Sequence, residues 1–234
     1  MSLSKYASTQ ETTNIARLAR LILGPCTDVL REILKTEVLP SELSKKVKEF
    51  TDKQLKRGNR NPLNKIQSEI LFPLPEKQYS GDYSDLDISL LYILLRNVSK
   101  IPQHSEGWEK IPKPGDRSVA ANIERLRLVR NKYYGHAADL SLSESNFKAE
   151  LRNIRDIIME LERYLGTTGI YQDAINTIET CSMDPEQEKK NIELLGDFHN
   201  LSSQIQSIQR ELKLPHGNKR LLVQFRYGPL IWLV

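Results

Sequence analysis

The run Ser84-Asp85-Leu86-Asp87-Ile88-Ser89-Leu90-Leu91-Tyr92-Ile93-Leu94-Leu95 decides the fold class of this chain. Its serine and aspartates are helix-start residues. Their side-chain oxygens accept the backbone N–H groups that a first turn leaves unpaired. From Ile88 onward nearly every position is apolar, so this helix has almost no polar face to turn to water. A helix of that kind is central and buried. It falls well short of the ~20 apolar residues that span a bilayer. Other parts of the chain must therefore cover it.

The flanking sequence supplies that cover as further helices. Thr13 to Val38 carries Ile15, Leu18, Ile22, Val29, Leu30, Ile33 and Leu34 as a mostly apolar stripe, with a kink or a split of the helix expected at Gly24-Pro25. Ser41 is expected to cap a second helix running to about Arg57, and a short one covers Leu63 to Leu71. After a loop from Lys100 to Gly115, with Trp108 as its aromatic anchor, Asp116 is expected to cap a helix from about Arg117 to Tyr134. Its apolar positions Val119, Ile123, Leu126, Val129 and Tyr133 step by four, three, three and four. Ser143 caps the next helix, whose Phe147, Leu151, Ile154, Ile158, Leu161 and Leu165 form a continuous core-facing stripe.

Gly166-Thr167-Thr168-Gly169 reads as a boundary, followed by a helix from about Tyr171 to Thr180. Asp184-Pro185-Glu186-Gln187 opens another, with Leu194, Phe198, Leu201, Ile205, Ile208 and Leu212 at heptad-like spacing. That pattern suits a helical hairpin or short coiled coil, and equally a plain amphipathic helix docked on the preceding domain. The expected organisation is a flexible N-terminus over 1–11, an all-α helical domain over 12–166, a helical extension over 167–213 and an irregular tail over 214–234.

Composition narrows the function classes. Of 234 residues, 39% are hydrophobic and 27% charged, which supports a packed core and argues against wholesale disorder. The net charge of +4 permits nucleic-acid contact without requiring it. Cys26 and Cys181 show no disulfide or metal-ligand spacing, which fits a reducing compartment. The polar N-terminus does not read as a secretory signal, and no segment reads as a membrane span. The sequence reading is a cytoplasmic protein with no cofactor, no metal and no membrane partner.

The chemistry concentrates in Arg130-Asn131-Lys132-Tyr133-Tyr134-Gly135-His136. A guanidinium holds phosphate oxygens through its planar fork, and an imidazole moves a proton near neutral pH. Together they suit a phosphodiester. Arg127, Lys132 and Tyr134 stand beside them as candidates for the RNA backbone and bases, or as solvated surface and packing. Six residues along an ideal helix separate Arg130 and His136 by about 9 Å and about 120°. Gly135 allows a left-handed turn that folds His136 back.

These residues also carry a resemblance. Leu86-Asp87-Ile88-Ser89-Leu90-Leu91 running into Leu94-Leu95-Arg96-Asn97, then Gly107-Trp108, then Arg130-Asn131 with Tyr134-Gly135-His136 occur in one order. In this the chain resembles the HEPN superfamily (higher eukaryotes and prokaryotes nucleotide-binding), and within it the type found in the DAZ-interacting zinc-finger ubiquitin ligase. The resemblance implies an up-and-down helical bundle. It also implies a metal-independent ribonuclease working in defence or RNA control, with Arg130, Asn131 and His136 in the catalytic positions. The alternative it implies is a non-catalytic module for dimerisation or RNA or nucleotide binding in an immune-type or ubiquitin-linked assembly. No Gly-x-x-x-x-Gly-Lys-Ser/Thr loop and no Cys/His array of a RING finger is found in the sequence. RNA cleavage gains from two proton-transfer groups, so a homodimer that brings two copies of His136 to one cleft is expected. Residues 184–213 are the expected surface for a protein partner.

Overall fold

The computed structural model describes residues 9–58, 63–72, 79, 81–134, 141–181 and 186. Among them every regular element is helical: α1 (Gln10–Leu21), α2 (Thr27–Glu37), α3 (Pro40–Lys56), α4 (Lys65–Leu71), α5 (Ile88–Val98), α6 (Val119–Tyr134), α7 (Glu144–Leu165) and α8 (Ile170–Thr180). The protein is an all-α bundle. The coiled coil or hairpin expected over 184–213 and the tail over 214–234 lie outside the described residues, Glu186 apart.

Local chemistry sets most helix starts. Asp87 caps α5, its carboxylate accepting from Leu90 N–H at 2.7 Å. Ser143 caps α7 by accepting from Asn146 N–H. Thr9 with Thr12, and Asn64 with Gln67, form reciprocal capping boxes that satisfy two backbone donors at once. Two expected caps are corrected. Helix α3 begins at Pro40, not Ser41, with Leu39 as an N-cap that makes no side-chain bond. Proline's fixed φ suits the first turn, and its missing N–H would have been unpaired there anyway. Helix α6 begins at Val119, two residues later than expected. Asp116 instead accepts from Ser105 and Ser118, while Ser118 Oγ takes the N–H of Ala121.

At Gly24-Pro25 the helical path is not broken. It widens into a π-helical turn over Ile22–Cys26 that joins α1 to α2. Proline has no N–H for the usual ladder and its ring crowds the preceding turn, so one extra residue is accommodated instead. Thr27 Oγ1 donates to the Ile22 carbonyl at 2.7 Å and ties the turn across.

One core cluster draws residues from all the described helices. In α5, Leu90, Leu91, Leu94 and Leu95 are all sealed from solvent, as its apolar run requires. That helix packs against α2, α3 and α6. Helix α7 buries Leu151, Ile154, Ile158 and Leu161 against α1, α2 and α6. Ala120 and Ala121 are fully buried at the start of α6. The Gly166–Gly169 turn reverses the chain, and α8 returns along α7 and α1, placing Ile175 and Ile178 in the same core. Trp108 is partly buried and meets Tyr92 edge to face at 6.0 Å. No described helix is long and apolar enough to cross a membrane.

Candidate functional site

Helix α6 carries five of the six predicted site residues. Arg130 is half-buried, and its Nη1 donates to Asn131 Oδ1 at 2.9 Å. The amide thus orients the guanidinium, so these two candidates are brought together. Arg130 also lines a hollow of about 110 Å³ with Leu23 of the π-helical turn, Arg31 of α2, and Asp87, Ile88 and Ser89 at the start of α5. The helix that decides the fold therefore also builds one wall of the site.

Two other cations of α6 are paired with carboxylates of the same chain. Arg127 pairs with Glu124, one turn back, and lies over the Tyr92 ring at 5.5 Å from its centroid. Glu124 is fully buried and also accepts from Tyr92 Oη at 2.8 Å and from Glu109 N–H at 3.1 Å. Burial, reinforced by the Glu124 hydrogen bond, pushes the Tyr92 phenol well above its usual range. The carboxylate thus ties the 101–118 loop to α5 and α6.

Lys132 reaches the other side of α6. Its Nζ lies 2.7 Å from Glu150 Oε2 of α7 and 4.8 Å from the Tyr133 ring centroid. Tyr133 Oη and Asn153 Nδ2 donate to the same carboxylate at 2.9 and 2.8 Å. Burial pushes Glu150 up, but the hydrogen bonds from Lys132, Asn153 and Tyr133 outweigh it and hold the group below the ordinary glutamate range. Tyr134 closes α6; its side chain, and Gly135 with His136 beyond it, lie outside the described residues.

Sequence reasoning missed both carboxylates. Glu150 stands in the core-facing phase of α7, three residues after Phe147 and four before Ile154. A charge in that phase signals a buried polar network. Glu124 lies three residues before Arg127, where side chains meet on a helix. His104 is buried, 3% exposed, and its Nδ1 accepts from Glu106 N–H. Among the described residues no cluster of three or more His, Cys, Asp or Glu side chains could hold a metal ion.

Comparison of the sequence with known proteins finds a family whose model it matches. Residues 39–191 match the family described as DZIP3/hRUL138-like HEPN. The chain is 27% identical over 216 residues to E3 ubiquitin-protein ligase DZIP3 of Homo sapiens, covering 90% of this chain and 16% of that protein. Against E3 ubiquitin-protein ligase DZIP3 of Mus musculus it is 25% identical over 215 residues, with the same coverage. The chain thus spans about a sixth of the length of these relatives. No solved structure matches.

Proposed function

Because the chain belongs to the DZIP3/hRUL138-like HEPN family, we propose that it is a metal-independent RNA endonuclease that acts as a homodimer. Its substrate is RNA in the cytoplasm, and its catalytic groups are Arg130, Asn131 and His136. The observation that carries this reading is the guanidinium of Arg130, held by Asn131 at the edge of a hollow and six residues before a histidine.

The chemistry follows from those groups. The ribose 2′-oxygen attacks the adjacent phosphorus, forming the P–O2′ bond as the P–O5′ bond breaks. One imidazole takes the 2′-OH proton, and a second protonates the departing 5′-oxygen. The products are a 2′,3′-cyclic phosphate and a 5′-hydroxyl. General acid–base help contributes roughly 10²–10⁴-fold. Arg130 stabilises the charge that builds on the phosphoryl oxygens, most strongly where water is excluded. The second imidazole comes from the partner copy across a two-fold axis.

The test is cleavage of single-stranded RNA in EDTA by wild type, Arg130→Ala and His136→Ala at equal folded content. Wild type is expected to cut and each variant to lose at least about 10²-fold. A second reading is favoured by the ion pairs of Arg127 and Lys132, which direct those charges to Glu124 and Glu150 and not to a ligand. In it the chain is a non-catalytic module for dimerisation or RNA or nucleotide binding within an immune-type or ubiquitin-linked assembly. Residues 184–213 would meet the protein partner. If all three proteins are inert while wild type still dimerises, that reading replaces the first.

A further inference from the structure

The hollow beside Arg130 has a size and a lining that specify an occupant. We propose that it seats a nucleobase bearing an exocyclic amino group, the base adjoining the phosphate that Arg130 holds. The inference rests on the RNA reading above and names the contact that would give it base preference.

Size comes first. At about 110 Å³ the hollow is well below the roughly 300–1,000 Å³ of pockets that enclose a drug-sized molecule. It has room for one planar base and not for a whole nucleotide. Leu23 and Ile88 supply apolar walls for the faces of such a ring. Leu23 is there because the π-helical turn carries it to the surface, where it is 37% exposed. Turns of this kind recur at functional sites.

The polar lining comes second. Asp87 Oδ1 is occupied by Leu90 N–H, yet a carboxylate has about four acceptor sites. It is suited to accept from the amino group of cytosine, adenine or guanine, and uracil has no such group. Ser89 Oγ and Arg31 Nε, from two residues that line the hollow, are buried without a hydrogen-bond partner among the described residues. Unsatisfied buried groups are uncommon in native folds, and two around one small hollow suit a ligand with a polar edge. Ser89 needs only a rotation about its first side-chain torsion to present its hydroxyl. Arg130 at the edge puts the phosphate next to the base, as a nucleotide requires.

The experiment measures binding of 2′-O-methyl oligo-C, oligo-A and oligo-U, which cannot be cut, by fluorescence anisotropy on the full chain. Wild type is expected to bind oligo-C and oligo-A about tenfold more tightly than oligo-U. Asp87→Asn keeps the helix cap, since asparagine caps as well as aspartate. It replaces an acceptor with a donor, and is expected to abolish or reverse the preference. Leu23→Trp fills the hollow from an exposed position and is expected to reduce all three affinities to one low level, with the thermal melt unchanged. The proposal is overturned if wild type binds the three alike or binds none, if Asp87→Asn keeps the wild-type order, or if Leu23→Trp leaves affinity intact. Because no bond is cut, the nuclease reading stands or falls separately on the EDTA assay.

Discussion

Glu150 fixes the end of α6, and so the neighbourhood of Arg130 and Asn131, through three donors on one buried carboxylate. Its pKa is held below the free value, so its stabilisation is complete above the unfolded glutamate pKa and is lost as pH falls through the folded one. Glu150→Gln keeps an acceptor oxygen but removes the charge. At pH 7 the variant is expected to lose on the order of 1–2 kcal/mol in urea unfolding, less than a sealed pair would, because the Lys132 side chain is 63% exposed. The gap between wild type and variant should close as pH falls through and below the ordinary glutamate range. A gap that stays constant with pH would show that packing, not the ionised pair, holds the end of α6.

At the scale of the element, two glycines separate backbone geometry from space. Gly166 ends α7 at φ +68, with Thr167 N–H bonded to the Glu162 carbonyl, and nothing lies within 4 Å of an added Cβ. Gly166→Ala is therefore expected to lose about 1 kcal/mol from the left-handed backbone alone. Gly24, inside the π-helical turn, has equal room and no positive φ, so Gly24→Ala should be neutral or gain up to about 1 kcal/mol. Paired thermal melts of the two variants test the contrast, and equal losses would refute it. The same distinction explains what the sequence disclosed. Asp87 and Ser143 were readable as caps because a cap is a contact between residues three apart. The stripes of α6 and α7 were readable because the helix period alone sets them. Pro40 displaced Ser41 because a fixed φ can start a helix without a side-chain cap. The partners of Arg127 and Lys132 were not anticipated. A basic run announces charge, but Glu150 lies eighteen residues from Lys132 and only the fold brings them together. The hollow beside Arg130 was equally hidden, since its walls come from the π-helical turn, α2, α5 and α6.

At the scale of the whole molecule, the proposed cleavage raises the question of where its two proton transfers come from. His104 is 3% exposed and packed within its loop, so it is closed to a substrate. A two-fold pair of chains brings a second copy of His136 without any new residue, and a cleft shared in that way has a kinetic signature. If the cleft is shared and needs both copies of Arg130, then Arg130→Ala added to a fixed amount of wild type draws wild-type chains into inactive mixed dimers. With free exchange and equal amounts, the rate should fall to about half, and to about a quarter at threefold excess of the variant. A site contained within one chain predicts a rate that does not change, because the wild-type amount is constant. Cleavage in EDTA read across that titration, beside sedimentation at the same concentrations, separates the two. A flat rate, or a monodisperse monomer that still cuts RNA, removes the shared cleft and requires one chain to supply both the acid and the base.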